Sequence, residues 1–528
     1  MYRYSALKVG ANWLPFSFDG HEYLRELYCD PQPIVILEKA AQMGASIVAI
    51  NRALHFVDTT GGTVIYFFPT DTDVADFSNT RVKPMIERCE YLSDQCNDIN
   101  NVHVRQIGMG LLYFRGMFAK GRTKSIPADF TIFDELDEAK PEHKAQALER
   151  MSHSAWGWRM ELSTPTIPDY GIDIEFAQSD QRYWHVACGC REGVVLEDVF
   201  PECIGVRHEG TDREEVFLRC PRCGKIRLNP CEYATVGEYR GWIPKRPENA
   251  RHARGYHLSQ LFSTTPACSP AAIWYKFRHT RDIPEFYNSV LGVPYAGDRM
   301  PLTLDVLAKC HGDWGLAQTG TRCYIGIDQG ADNYVIVKQR DPNTGAGKVI
   351  NAVVVEGPNP WPATVEICKL YPDAAIVVDA LPEKTQARAL CQLFPGRAYM
   401  CYYTDTQKDA VVVDDDPNEP DAGMKVTVHR TETLDRVIEM LLWTAQGRPD
   451  GIILPNAQLP ICKEIKDHLA ALAKIRRRRV VNIGGVQQET GEVEWVYVHI
   501  KPDHFAHALN YATIAESVPV NVGWAGFM

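Results

Sequence analysis

Asp129-Phe130-Thr131-Ile132-Phe133-Asp134-Glu135-Leu136-Asp137-Glu138 is a short apolar run that stops at two adjacent carboxylates. It reads as a buried strand with the Asp134-Glu135 pair at its end. In that position Asp134 can hold Mg²⁺, and Glu135 can polarise an attacking water, as ATP hydrolysis requires. An ordinary strand with a solvated acidic turn has the same local pattern, so the flanking segments decide.

Upstream, Ile34-Val35-Ile36-Leu37 forms a strand that runs into Glu38-Lys39-Ala40-Ala41-Gln42-Met43-Gly44-Ala45-Ser46. The amphipathic residues 47–56 then read as a helix. Strand, loop and helix are the context of a phosphate-cradling P-loop. The pattern GxxxxGK[ST] is only partly met. Gly44 and Ser46 fit, Ala45 stands in the lysine position, and Lys39 stands where the first glycine belongs. Backbone N–H groups at the helix start still suit phosphate. Thr63-Val64-Ile65-Tyr66-Phe67-Phe68-Pro69-Thr70 is a further strand, with a helix starting at Asp71, and residues 111–116 read as another. Met160-Glu161-Leu162-Ser163 runs into Thr164-Pro165-Thr166, a strand end whose hydroxyls can sense a γ-phosphate. This alternation predicts a parallel α/β sheet.

In this order the parts resemble the ATPase half of phage large terminases, the motors that package DNA into procapsids. The resemblance is strongest to the lambda-like branch, in which the P-loop lysine also lies at the front of the loop. It implies that Lys39, Gln42, Gly44, Ser46 and Asp134 bind ATP and Mg²⁺. It further implies that Glu135 is catalytic and that Ser163 and Thr164 couple the site to neighbouring elements. It places an arginine for the γ-phosphate nearby, and Arg150 is the candidate. Residues 253–262 look like the last strand of the same sheet, and residues 285–295 like the helix and exit beyond it.

The chain has 528 residues, 45% apolar and 23% charged, which suits a soluble globular protein of two to four domains. No apolar run approaches the ~18 residues that span a membrane. Met1-Tyr2-Arg3-Tyr4-Ser5 carries no signal-peptide core, so a cytoplasm is the expected location, and the resemblance implies that it is the host's, with a transient place at the procapsid portal. The net charge of −11 argues against a globally basic nucleic-acid coat but allows a local basic groove. Asp414-Asp415-Asp416 reads as a solvated loop.

Sixteen cysteines are too dilute for a disulfide scaffold. Cys188-Gly189-Cys190 and Cys220-Pro221-Arg222-Cys223-Gly224 have the layout of a zinc ribbon, with four thiolates closing a structural tetrahedron around Zn²⁺. The first pair is spaced Cys-x-Cys, so His185, Cys203 or Cys231 could replace a ligand.

Past residue 321, Cys323-Tyr324-Ile325-Gly326-Ile327-Asp328 and Ala374-Ala375-Ile376-Val377-Val378-Asp379 are strands that end in aspartate. Pro502-Asp503-His504 opens a helix. Three such acids suit an RNase H-like nuclease, in which they gather two Mg²⁺ or Mn²⁺ ions about 4 Å apart. The resemblance to terminases extends over this half, and by position Asp328, Asp379 and Asp503 match the catalytic, metal-binding acids. His507 stands where the family commonly has a second helix acid, and His504 or His507 either assists the metal or packs. Lys474-Ile475-Arg476-Arg477-Arg478-Arg479 opens a hairpin with a turn at residues 488–492. Its cations, Arg476, Arg477, Arg478 and Arg479 among them, favour DNA phosphates.

The expected organisation is a P-loop ATPase domain at residues 1–300 with a zinc-binding insertion at 183–232. A linker at 301–320 follows, and then an RNase H-like α/β nuclease domain at 321–528. The implied partners are double-stranded DNA, a small terminase subunit and the portal protein, with a homo-oligomer on the portal. The rival readings are a helicase-like repair ATPase with an appended nuclease, and a DNA-binding assembly protein whose ATPase has decayed.

Overall fold

A computed structural model describes residues 6–9, 12–117, 126–139, 141–211, 213–404, 411–414, 421–483 and 486–520. The N-terminal pentapeptide, Asp415 and Asp416 lie outside the described residues; Asp414 ends a strand rather than sitting in a loop. Two compact units divide the chain. One comprises residues 1–297 with 477–494, and the other residues 298–476 with 495–528.

The first unit is built on a ten-stranded sheet. In chain order its strands are β1 (Ile34–Lys39), β2 (Thr63–Phe68), β3 (Cys96–Asn100), β4 (Val104–Ile107), β5 (Gly110–Gly116), β6 (Phe130–Asp134), β7 (Trp158–Ser163), β8 (Arg182–Trp184), β9 (Trp242–Pro244) and β10 (Arg254–Leu258). The spatial order is β9-β8-β10-β1-β7-β6-β2-β5-β4-β3. The run from β8 to β5 is parallel, and the edges are antiparallel. Every residue of β6 is buried, as expected of a strand covered on both faces. Alternate residues feed two cores, Phe130 and Ile132 on one face and Phe133 on the other. Burying each such side chain contributes about 1.5–3 kcal/mol. Helix α1 (Ala45–Thr60) follows β1 directly, so the loop between them lies at the carboxyl end of the sheet, beside the ends of β6 and β7.

The second unit holds an eight-stranded sheet with strands β11 (Cys323–Asp328), β12 (Asn333–Arg340), β13 (Gly347–Val355), β14 (Ala375–Asp379), β15 (Ala398–Thr404), β16 (Val411–Asp414), β17 (Lys425–His429) and β18 (Ile452–Ile453). Their order is β16-β17-β15-β14-β11-β12-β13-β18. β11, β12 and β13 form an antiparallel meander, while β14 lies parallel to β11. Helices α2 (Arg430–Ala445) and α3 (His504–Ile514) help cover the sheet. α3 rests on β11 because Gly326 has no side chain; a Cβ there would stand 1.9 Å from the Ala508 carbonyl oxygen. Leu302, Leu307 and Cys310, in the segment expected to be a linker, are buried in this unit's core.

β19 (Leu472–Ile483) and β20 (Val486–His499) pair as a ribbon. Residues 488–492, where a turn was expected, lie within β20. Alternating polar residues such as Gln488 and Thr490 can continue a strand as readily as they can make a turn.

Candidate functional site

The loop from Lys39 to Ala45 turns tightly. Gln42 and Gly44 both have positive φ, 63° and 80°, a region costly for glutamine and free for glycine. Its backbone is fixed from two sides. Ala40 N–H donates to the Leu258 carbonyl at 2.7 Å, and Ala41 N–H donates to the Ser289 carbonyl at 2.8 Å. Gln260 Nε2 donates to the Ala41 carbonyl at 2.9 Å. Gly292 permits this approach: a Cβ there would meet the Leu258 carbonyl oxygen at 2.5 Å and Ala40 N at 2.8 Å. The anchoring residue Gln260 and the glycine at the helix exit carry no motif of their own in the sequence.

Lys39 is the last residue of β1, and its ammonium turns into the cleft. Nζ donates to Glu135 Oε1 at 2.9 Å and to Thr164 Oγ1 at 3.4 Å. Burial works against the charge on Lys39, but Glu135 and Asp134 outweigh it and raise its pKa. Burial alone would raise the Glu135 carboxyl, yet the Lys39 charge and hydrogen bond hold it below its usual range. Glu135 itself sits at φ 52°, a strained conformation of the kind found at functional sites. Asp134 accepts from the Tyr66 hydroxyl at 2.7 Å and from the Ser46 hydroxyl. Burial and the neighbouring Glu135 push its pKa up to about 6. Ser46, Asp134, Glu135 and Lys39 therefore converge on one cleft of about 430 Å³, which Gln42, Gly44 and Thr164 also line. The hydroxyl and carboxylate pair suits Mg²⁺.

Ser163 and Thr164 lead out of the cleft. Ser163 Oγ accepts from Asp137 N–H at 3.1 Å and donates to the Thr164 carbonyl at 3.1 Å. Asp137 in turn accepts from Thr166 N–H, Thr166 Oγ1 and Ile172 N–H at 2.8–2.9 Å. It ties the turn after β6 to the turn after β7. Its place three residues after Asp134 is the signal for it in the sequence.

Arg150 is not at the cleft. Its carbonyl accepts from Ala128 N–H at 3.2 Å, beside the start of β6. Asp134 is at the other end of that strand, about 20 Å away at ~3.3 Å per residue. The arginines that line the cleft are Arg81 and Arg478. The basic tract does not form one surface, because successive strand residues point to opposite faces. Arg478 binds Asp73 and Glu138, Arg479 binds Glu492, and Arg476 lies over the Trp495 ring.

The sulfurs of Cys188, Cys190, Cys220 and Cys223 all lie within 4.8 Å of one another, with Cys190 and Cys220 at 3.8 Å. Four sulfurs around zinc at ~2.3 Å stand about 3.8 Å apart, so the donor set fits a tetrahedral ion. Burial pushes Cys188 up to about 12, while N–H donors from Lys225 and Gly189 bring Cys223 down to about 6. His185 is not among the four; its Nδ1 faces the Glu192 carbonyl at 2.7 Å.

In the second unit, Asp328 and Asp379 end adjacent parallel strands, with Ile327 and Val378 paired just before them. Asp503 immediately precedes α3. Asp328 Oδ2 lies 2.8 Å from His504 Nδ1. Asp503 Oδ2 lies 3.1 Å from His507 Nε2, whose Nδ1 meets the Tyr403 hydroxyl at 2.9 Å. Burial and the charge of Asp328 push Asp379 up to about 6. The hydrogen bond to Asp328 raises the pKa of His504. Asp328 and Asp379 stand at the ends of adjacent strands, but among the described residues only the four cysteines draw three or more donors within 4.8 Å. Histidines, rather than a second helix acid, hold Asp328 and Asp503.

Residues 25–234 match the model of a protein family, the phage terminase large subunit gpA, ATPase domain. A curated relative, the terminase large subunit of Enterobacteria phage P21, is 26% identical over 215 residues, 36% of this chain. The aligned part spans 33% of that relative's length. Among solved structures, the large terminase of bacteriophage HK97 aligns over 98% of this chain and 97% of its own, with 10% identity and a TM-score of 0.48. The large terminase of a thermophilic bacteriophage aligns over 94% of this chain and 98% of its own, with 12% identity and a TM-score of 0.34.

Proposed function

By its ATPase domain, residues 25–234, the chain belongs to the phage terminase large-subunit family, and from this premise we propose that it is an ATP-driven motor that packages double-stranded DNA into procapsids and cuts concatemeric DNA with a metal-dependent endonuclease. The observation that carries the motor is the convergence of Lys39, Ser46, Asp134, Glu135 and Thr164 on one cleft. The loop N–H groups and Lys39 hold the phosphates of ATP, and Ser46 and Asp134 hold Mg²⁺. The ion offsets charge on the phosphates. Lys39, once it faces phosphate, releases Glu135 to orient and deprotonate water. The hydroxyl of Thr164 loses its lysine partner in the same event, and the Ser163–Asp137–Thr166 chain carries the change outward.

Asp328, Asp379 and Asp503 are the proposed catalytic acids of the nuclease and the ligands of Mg²⁺ or Mn²⁺. Cys188, Cys190, Cys220 and Cys223 hold a structural Zn²⁺. Arg476, Arg477 and Arg479 meet DNA phosphates. The partners are the small terminase subunit and the portal, on which several copies assemble in the host cytoplasm. Among the described residues no helix is long and apolar enough to cross a membrane.

The test is ATP turnover with and without duplex DNA and portal-bearing procapsids. Stimulated turnover with DNA uptake supports the reading. Processive strand separation would favour the repair-helicase reading, and absence of turnover with DNA would favour a decayed ATPase.

A further inference from the structure

We propose that Arg478 reads the terminal phosphate of a bound nucleoside triphosphate, exchanging its carboxylate partners for that phosphate. The proposal rests on the ATPase reading above and adds a residue to it that lies far along the chain from the loop.

Arg478 lines the same cleft as Lys39, Gly44 and Glu135, and residues 477–494 belong to the same compact unit. Asp73 and Glu138 are among the groups that hold its guanidinium at the rim. Nε and Nη2 donate to Glu138 Oε2 at 2.8 and 2.6 Å, and Nη1 donates to Asp73 Oδ1 at 3.1 Å. Both anions are mounted on fixed elements. Asp73 forms a capping box with Thr70 at the helix after β2. Glu138 closes the short turn after Glu135, its N–H donating to the Glu135 carbonyl at 3.1 Å. Arg478 thus bridges the helix after β2 and the catalytic turn, and its charge reaches Glu135.

The charge balance of the cleft gives this bridge a use. Asp73, Asp76, Asp134 and Glu135 line it with negative charge, and Lys39 is engaged by Glu135. A triphosphate brings further negative charge, which favours a planar, always-charged donor that can turn from carboxylate to phosphate. At 35% side-chain exposure Arg478 is able to turn. A diphosphate lacks the terminal phosphate that this exchange requires, so the carboxylate pairing stays in place. The guanidinium position then differs between the two nucleotide states.

The experiment measures Mg·ATP-analogue and Mg·ADP affinities on the full chain for wild type, Arg478→Gln, Arg478→Lys and the double variant Asp73→Asn/Glu138→Gln. Arg478→Gln is expected to weaken the non-hydrolysable triphosphate about ten- to a hundredfold, the range of a lost charge-assisted contact, while ADP affinity stays within about twofold. ADP binding also reports that the variant is folded. Arg478→Lys should recover part of the loss. Freeing the arginine in the double variant should keep or raise the ATP preference. A purely structural clamp predicts the reverse, with the double variant losing ATP affinity as Arg478→Gln does, and that result overturns the proposal. An unchanged ATP/ADP ratio in Arg478→Gln overturns it while leaving the ATPase reading standing. A wild-type chain that binds neither nucleotide overturns both.

Discussion

Lys39 Nζ lies 2.9 Å from Glu135 Oε1, so the lysine at the front of the loop and the carboxylate at the end of β6 form one ion pair across the cleft. Lys39 is almost fully buried, at 6% side-chain exposure, while Glu135 keeps 35%. The exposed partner can change company more cheaply than the buried one. In the proposed mechanism the pair is the resting arrangement, with Glu135 occupied until phosphate reaches Lys39.

Replacing Lys39 with alanine should weaken ATP about tenfold or more, because a buried cation lining the cleft is lost. Ala45→Lys should not restore binding, since Ala45 is buried at the first turn of α1. Equilibrium titration with a fluorescent nucleotide checks both. Wild-type affinity in Lys39→Ala would remove the displaced lysine from the account.

The cysteine cluster should carry about one zinc per chain by elemental analysis. Cys220→Ser and Cys223→Ser should each lower the content and the melting temperature, because zinc binding is coupled to folding. Replacing Cys203 or Cys231 should leave the zinc content unchanged, as neither belongs to the group of four. Folded protein with four freely titratable thiols and no zinc would contradict the assignment.

Gly326→Ala should destabilise the second unit by about 1–3 kcal/mol or more, the scale of overpacking. The added methyl meets the backbone of α3 at Ala508 and Ala512. Displacing α3 moves Asp503 and His504, so cleavage should fall well before ATP turnover does. Calorimetry with parallel cleavage and ATPase assays decides this; equal loss of both activities would count against it.

Glu197 is buried against His257 at 3.8 Å, and burial pushes its carboxyl up to about 7. A carboxyl raised above its unfolded value favours the folded state while protonated, and that contribution is lost as pH rises through about 7. His257 is shifted the other way by burial and disfavours folding at low pH. Glu197→Gln mimics the protonated acid, so its stability relative to wild type should rise from about pH 4.5 to about pH 7 and level off above that. Denaturant midpoints across that range measure the difference; a widening wild-type advantage would mean the charged pair prevails over burial.

The parallel sheet, the loop at Lys39 and the Asp134-Glu135 strand end were legible because each is a local pattern of apolar run, punctuation and charge. So were the two strand-end aspartates, whose register β11 and β14 bear out. Gln260 on Ala41, Tyr66 on Asp134 and Arg478 on Asp73 were not. These contacts join residues 219, 68 and 405 positions apart, and one sequence holds no trace of such pairings. The partners of the basic tract were hidden for a related reason. Charge composition is local, but which carboxylates face a strand's two sides is set by the fold. The histidines on Asp328 and Asp503 were visible as residues, though their partners were not.

The measurement that bears most directly on the account is plasmid cleavage and ATP hydrolysis assayed side by side on Glu135→Gln and Asp328→Asn. Glu135→Gln should bind ATP nearly as wild type does and lose about a hundredfold or more in turnover, since only water activation is removed. Asp328→Asn should lose cleavage in both Mg²⁺ and Mn²⁺ while its DNA-stimulated ATP hydrolysis persists. Full cleavage by Asp328→Asn, or undiminished turnover by Glu135→Gln, would contradict the assignment of the two sites.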